Sequence, residues 1–388
     1  MARSRRRRGI LIGVGVLAVA AIAGGIVIAT SSTRGPAPGP AETTPAAEYD
    51  RLTALRIDEL RGFTDWLEAN DSRGFIGEVG WPAEPPESKP WNALATEWYR
   101  VATEEGLWTT AWASGNIWDP GYKLSVYSDT DRDAVVESPF SQSEVVEEFP
   151  STREVRTGVN VAGLEFGTEG DFSTANPGTP AETYFEESAD TFDFLASRGI
   201  DTVRIPFRWE RVQSEPFGEL RETGVAELRR ALDLSEAAGI EVILDMHNYG
   251  FYTTPEGPLQ VGSAQLPSAA LADAWVRLAA EFGDHPALLA YGLMNEPQGF
   301  GGESATAQAE LWESVSQEVL SAVRASGDTT LIMVPGYDYS AVARFTTNHP
   351  DGWITDPADN FRYEAHQYWD SNVSGSYNEP YDEVLPPE

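Results

Sequence analysis

Cysteine is absent from the 388 residues, lysine occurs only at Lys89 and Lys123, and there are four histidines. Without cysteine, disulfide frameworks, thiolate metal sites and cysteine nucleophiles are excluded. With two lysines, a Schiff-base mechanism has almost no candidates. Basic residues are scarce in general, 27 against 61 acids, and unevenly placed. Arg3, Arg5, Arg6, Arg7, Arg8 and Arg34 precede the first acid, Glu42, which leaves 21 bases against all 61 acids in the body of the chain. Such a body repels nucleic acid and anionic lipid, so a polyanion is excluded as its partner.

The arginine cluster is followed by an uncharged apolar run of 21 residues, Gly9–Ala29. A bilayer span needs about 20 residues, whereas a signal-peptide core needs roughly 7–15. Arginines before the run and acids after it put the N-terminus inside and the body outside. Ala21-Ile22-Ala23 and Val27-Ile28-Ala29 are small-residue cleavage sites, so a single-pass anchor and a cleaved signal with secretion both stay open. Export follows from either. The expected organisation is a basic cytoplasmic segment at 1–8, a signal-anchor at 9–29, a Pro-rich linker at 30–48 and one catalytic-sized domain at 49–388.

In that domain, short apolar runs alternate with stretches of helical period. The predicted strands are Gly74–Gly80, Leu107–Ala113, Arg156–Leu164, Thr202–Pro206, Glu241–Met246, Leu288–Met294, Thr330–Pro335 and Phe361–Tyr368. Trp91, Leu94, Ala95, Trp98, Val101 and Ala102 mark one helix, and Leu271, Ala274, Trp275, Leu278 and Phe282 another. Eight buried strands alternating with helices predict an α/β fold of parallel units. The count of eight, and the lack of a Gly-x-Gly-x-x-Gly turn after any strand, favour a (β/α)8 TIM barrel over an open doubly wound sheet.

Such a barrel carries its chemistry at the C-terminal ends of its strands. Polar residues close the apolar runs there: Arg204, Asp245-Met246-His247-Asn248, Asn295-Glu296-Pro297, His366-Gln367-Tyr368, Glu78 and Trp112. Each alone reads as a helix cap or a satisfied hydrogen-bonding residue. Six on six different strands at one end make a site.

This set resembles glycoside hydrolase family 5, which includes many cellulases and mannanases. RTGVNVAGLEFG, TVRIPFRWERVQ, LDMHNY, GLMNEP, YEAHQYW and GFIGEVGWP resemble its blocks over roughly residues 50–370. One feature departs from the family. The Gly-Glu strand and the Trp strand stand ahead of the Gly158-Val159-Asn160 strand, whereas in the family they come last. The expectation is a circular permutation, the chain starting at the family's sixth helix and seventh strand. The sixth helix is then Tyr49–Asn70, with Leu52, Leu55, Leu60, Phe63 and Leu67 inward. The rival is a truncated enzyme behind an unrelated N-terminal domain.

The resemblance implies retaining hydrolysis of β-linked glucan or mannan chains, with Glu296 as acid/base and Glu78 as nucleophile. It further implies that Arg204, His247, Asn248, Asn295, His366, Tyr368 and Trp112 bind substrate or hold the acids. Trp209, Tyr249 and Trp369, nearest the motifs, are expected to stack on sugar rings. No cofactor is implied. Asp129-x-Asp131-x-Asp133 resembles the start of a calcium loop. Ala134 stands where such a loop needs glycine and Phe140 where it needs glutamate, so a solvated acidic turn is expected and no metal. The expected partners are a carbohydrate and, through an uncleaved N-terminal helix, the membrane, with a monomeric catalytic domain. A non-catalytic surface glycan-binding protein and a transglycosylase are the alternatives.

Overall fold

The computed structural model describes residues 45–85, 88–118, 121–128, 141–302 and 304–385. The expected basic segment, the apolar run, most of the linker and the acidic turn at Asp129 lie outside them. Among the described residues no helix is long and apolar enough to cross a membrane.

Eight strands form the centre: β1 Gly74–Gly80, β2 Trp108–Gly115, β3 Thr157–Val161, β4 Thr202–Phe207, β5 Glu241–Met246, β6 Leu288–Gly292, β7 Leu331–Pro335 and β8 Phe361–Tyr368. Each pairs in parallel with the next, and β1 pairs with both β8 and β2, so the sheet closes on itself. The predicted (β/α)8 barrel is therefore the observed fold. Closure removes both sheet edges.

The strands alternate with helices α1 Pro45–Ala69, α2 Ser88–Glu104, α3 Ala189–Ser197, α4 Glu222–Ala238, α5 Ser268–Phe282, α6 Ala305–Ala325 and α7 Val342–Asn348. A four-residue turn of helix, Ser143–Val146, stands between β2 and β3. The outward faces of the strands and the inner faces of the helices share one large apolar cluster. A smaller cluster, Phe75, Ile243, Ala290, Leu331 and Met333, joins β1, β5, β6 and β7 from inside and plugs the barrel. Because side chains alternate along a strand, the next inward positions above this plug on β5 and β8 are Asp245 and Glu364.

α1 packs where the circular order of the barrel requires a helix between β8 and β1. Its Trp66 meets Phe345 of α7 and Tyr363 of β8 edge to face at 5.1 and 4.9 Å. Leu52, Leu60, Phe63 and Leu67 are buried as expected, but Leu55 is 38% exposed. The residue that points inward instead is Arg56, four positions after Leu52 and four before Leu60. Its guanidinium donates to the carbonyls of Trp369 and Asp370, both at 3.1 Å, and to Glu59 at 2.9 Å. Gln367 returns a bond to the Arg56 carbonyl at 3.1 Å. A cation bonded to two chain carbonyls thus ties α1 to the end of β8.

Two predicted strands end early. β3 stops at Val161 and β6 at Gly292, because the residues beyond leave the ladder to build the rim. A hairpin, Phe251–Thr254 with Gly257–Gln260, follows β5, in a turn-rich stretch that carries no strand period.

Removing the Arg56 guanidinium takes the donor from the Trp369 carbonyl and one of two donors from that of Asp370, which keeps Val373 N. Arg56→Ala is expected to cost about 2–4 kcal/mol of unfolding free energy. Leu55→Ala, on the solvent side of the same turn, should cost less than about 1 kcal/mol. Equal shifts of the urea midpoint for the two variants would contradict this account of α1.

Candidate active site

Arg204 on β4 is fully buried at the centre of the barrel. One terminal nitrogen donates to Glu78 at 3.1 Å and to Asn160 at 2.9 Å. The other faces Asn295 at 2.7 Å, Asp245 at 3.0 Å and Glu364 at 3.1 Å. These partners come from β1, β3, β5, the end of β6 and β8, so only an inward-facing side chain can reach them all. Burial opposes its charge, but Asp245, Glu364, Glu78 and Glu296 outweigh that and hold it firmly protonated.

The rest of the site is built on that cation. Glu78 accepts from Arg204 through one oxygen and from the Tyr368 hydroxyl, at 2.7 Å, through the other. Asn295 can offer only its carbonyl to Arg204, since a guanidinium has no acceptor. Its amide nitrogen therefore faces His247 Nε2 at 3.2 Å, and Nε2 must accept. The proton of His247 then sits on Nδ1 and is donated to Asp245 at 2.9 Å. Burial drives the His247 pKa well down, consistent with this neutral tautomer. The Tyr249 hydroxyl closes the chain at 3.1 Å from Nε2.

His366 is the opposite case. Its Nδ1 lies 3.0 Å from Glu296 and 3.7 Å from Glu78, and its Nε2 lies 3.2 Å from Glu364. Burial alone would lower its pKa, but Glu78, Glu296 and Glu364 raise it to about 10. Glu296 is pushed up, chiefly by burial and further by Glu78, with His366 and Arg204 pulling the other way. One carboxylate oxygen of Glu78 and one of Glu296 lie within 4.8 Å of each other. One carboxylate held by two donors beside a second acid that favours its proton is a pair able to attack and to protonate across a small gap.

Glu296 sits at φ +44°, in the left-handed region, directly before Pro297. A non-glycine residue there is strained by about 1–2 kcal/mol. Neighbouring backbone bonds hold it: Asn295 N to Met246 O at 2.7 Å, Tyr249 N to Asn295 O at 3.0 Å and Asp338 N to Pro297 O at 3.0 Å. Asp338, Tyr339 and Ser340 are left-handed as well, at φ 62°, 60° and 53°. Ser340 O accepts from His366 N at 2.8 Å, so this strained loop after β7 joins the Glu296 rim to β8.

Trp112 is half-buried, parallel to the His247 ring at 5.8 Å, and donates to the Tyr122 hydroxyl at 3.0 Å. Tyr122 stacks on Trp118 at 3.9 Å, and Trp118 meets Phe166 edge to face at 4.9 Å, extending an aromatic wall away from Trp112.

Glu78, Glu296, Arg204, His247, Asn295, His366, Tyr368, Trp112 and Tyr249 are thus brought together. Trp369, Trp209 and Asn248 are not. Trp369 has odd parity on β8 relative to Glu364, His366 and Tyr368, so it points outward, fully buried against Trp81 at 5.4 Å. Trp209 is fully buried against Tyr252 at 4.7 Å and donates to Gln213 at 2.8 Å. Asn248 accepts from Trp209 N at 2.8 Å and donates to Glu210 and Phe251 O, both at 2.9 Å, so its amide braces the loop. Neither tryptophan has a free face for a ring, and Asn248 has no free end for a hydroxyl.

Sequence reasoning passed over Asn160 and Glu364, although both stand at inward parity beside residues it did choose. It also passed over Tyr122, Glu165 and Tyr339. Tyr339 is 42% exposed and within the field of Glu296. Glu165 is buried, accepts from Gly163 N at 2.8 Å and is pushed up to about 8, mainly by burial. Loop residues such as these carry no periodicity that would find them.

Glu78, Glu296 and His366 offer ligand atoms close enough for one cation, but Arg204 and the His366 imidazolium already supply positive charge there. A second group, Asp233, Glu236 and His285, lies at the surface, where His285 accepts from Ala287 N at 3.2 Å and faces Asp233 at 3.1 Å.

Known proteins resemble this chain in one consistent way. The family model for Cellulase (glycosyl hydrolase family 5) matches residues 159–386. A manganese dependent endoglucanase, Eg5A, of Phanerodontia chrysosporium is 28% identical over 231 residues, 57% of this chain and 54% of that protein. An endo-beta-1,4-glucanase B of Emericella nidulans is 29% identical over 222 residues, 57% of this chain and 61% of that protein. The structure of Pseudomonas stutzeri endoglucanase Cel5A in complex with cellobiose is 36% identical, with a TM-score of 0.51, over 57% of this chain and 62% of that one. The chain spans about half to three fifths of the length of the curated relatives it matches.

Proposed function

The chain belongs to glycosyl hydrolase family 5, and from that premise we propose that it hydrolyses β-glycosidic bonds of glucan-type chains with retention of configuration. The observation that carries this reading is the Glu78–Glu296 pair, two carboxyl groups within 4.8 Å, one held by Arg204 and Tyr368 and one inclined to keep its proton. Retaining enzymes need their two carboxyl groups about 5–5.5 Å apart, whereas inverting enzymes leave room for a water at about 6.5–9.5 Å.

In the first step a Glu78 oxygen bonds to the anomeric carbon as the bond to the leaving oxygen breaks, and Glu296 gives its proton to that oxygen. In the second, a water oxygen bonds to the same carbon, Glu296 takes the water proton, and Glu78 departs as a carboxylate. Arg204 and Tyr368 steady the charge on Glu78 at both ends of the cycle. Asn295, fixed by Arg204 and His247, presents its second amide proton to a sugar hydroxyl, and Trp112 offers its face under the ring. The names of the endo-beta-1,4-glucanase relatives favour β-1,4-linked glucose as the substrate.

We further propose that the barrel is a circular permutant of the family order. The family match starts at residue 159 and covers β3–β8, yet β1 and β2 close the barrel and carry Glu78 and Trp112. α1 takes the helix position between β8 and β1. The arginine cluster and the apolar run behind it support an extracytoplasmic barrel, secreted or tethered by residues 9–29.

Three outcomes are expected. On an aryl β-cellobioside, Glu296→Ala and Glu78→Ala each lose at least about 10³-fold in kcat/KM. Azide then revives the first with retained and the second with inverted configuration; an inverted first product from the unaltered enzyme would end the retaining mechanism. A rearranged chain in which the segment bearing α1, β1, α2 and β2 follows β8 through a short Gly/Ser join should fold and keep activity within about tenfold. Its failure to form a barrel would refute the permutation. In cells, activity should be found outside the cytoplasm, in the membrane fraction if the apolar run is retained and in the medium if it is cleaved. A cytoplasmic enzyme would refute the export.

A further inference from the structure

We propose that Glu364 is a positioning residue of this site, which fixes His366 as an imidazolium aimed at Glu296 and Glu78. The inference rests on the glycosidase reading given above. Glu364 is fully buried on β8, two residues before His366 and on the same face. A single oxygen, Oε1, faces both His366 Nε2 at 3.2 Å and Arg204 at 3.1 Å. With a carboxylate at Nε2 and the Glu296 carboxyl at Nδ1, 3.0 Å away, the ring is aligned at both ends and cannot turn without breaking a bond. A neutral imidazole has one N–H; a doubly protonated ring satisfies both partners at once.

The neighbouring strand is shaped around this acid. Ile76 of β1 pairs with Ala365 and Glu78 with His366, so Gly77 is the extra residue of a bulge. A Cβ built on Gly77 would fall 2.0 Å from Glu364 Oε1 and 2.9 Å from His366 Nε2. The glycine of the Gly77–Glu78 pair is therefore required to admit the Glu364 carboxylate. The bulge turns the Gly77 carbonyl to Thr110, at 2.6 Å, and to Asn160, at 2.9 Å, and delivers Glu78 to its partners.

The charged and titratable groups around His366 are Glu364 on its own strand, Glu78 on β1, Glu296 beyond β6, Arg204 on β4, and Asp245 and His247 at the end of β5. Tyr368, two residues on, donates to Glu78. Glu364 is pulled below its usual range: burial opposes its charge, but Arg204 and His366 prevail. It is thus the stable counter-charge beneath the ring. Losing that charge lowers the pH at which the imidazolium gives up its proton, and with a neutral ring Glu296 and Glu78 lose the cation between them.

The test is an imidazole-nitrogen NMR titration of the full chain, whose four histidines are few enough to resolve, with the His366 signal assigned by its loss in His366→Gln. In the unaltered protein His366 should remain an imidazolium beyond pH 9. In Glu364→Gln its midpoint should fall by about 1–3 pH units. On an aryl β-cellobioside the same variant should lose about tenfold or more in kcat, keep KM within about threefold, and show the alkaline limb of its pH profile displaced toward acid. An unchanged His366 midpoint in Glu364→Gln overturns the proposal, because a residue serving only as ballast for Arg204 would leave the ring alone. Should that variant fail to fold, the unaltered protein still decides: a neutral His366 at pH 8 in active enzyme overturns the proposal, and an imidazolium supports it. A shifted midpoint in a protein that turns over no glycoside would instead sink the glycosidase reading and leave the placement of His366 intact.

Discussion

A guanidinium with no water around it is the constraint on which the site depends. Arg204 cannot be discharged, so every group within its reach must accept a hydrogen bond or supply negative charge. It donates to Glu78, Asn160 and Asn295 and pairs in charge with Asp245 and Glu364, so its partners stand at five positions around the barrel. Each is oriented by the same cation. Asn295 has its carbonyl turned inward, which turns its amide to His247, which assigns the His247 tautomer, which makes Asp245 an acceptor. A single charge placed on β4 thus decides the hydrogen-bonding sense of residues on β5, β6 and β8.

The same charge sets how protons are divided. Four acids, Glu78, Asp245, Glu296 and Glu364, surround two cations, Arg204 and His366, in a space that cannot hold two surplus negative charges cheaply. Two acids must therefore lean toward their protonated forms. Burial decides which: Asp245 is pushed to about 7 by burial against the pull of Arg204, and Glu296 is raised for the same leading cause. Glu364, between Arg204 and His366, goes down instead. Glu78 has two committed donors. The asymmetry that an acid and a nucleophile require thus arises from electroneutrality inside a closed barrel.

Much of this could be read from the chain because a strand alternates. The eight apolar runs marked the strands, and the polar residues ending them marked the end of the barrel where the buried acids and Arg204 meet. Trp369 follows Tyr368 at the end of β8, where the next residue takes the opposite face, and it went to the outer aromatic core; Asn248 lies past the end of β5, where no strand period applies, and its amide braces the loop. Glu364 and Asn160 could have been found by parity. Leu55 failed similarly on α1, where a charged Arg56 took the inward place because chain carbonyls at the end of β8 were there to receive it. Tyr122, Glu165 and Tyr339 lie in loops where neither period applies, and only the folded chain brings them near the acids.

Closure of the barrel and the meeting of Glu78 with Glu296 are one event. Glu78 lies on β1, and β1 reaches Arg204 and Tyr368 only when it is inserted between β2 and β8. The contacts that insert it come from distant parts of the chain: Arg56 on the end of β8, and Trp81 against Trp369. What these contacts fix is the cyclic order of strands. The order in which the chain visits them is free, because the charge network spans the interior and no covalent link crosses it. The juxtaposition of Glu78 and Glu296 is therefore a property of the ring, and the permutation proposed above would leave it intact.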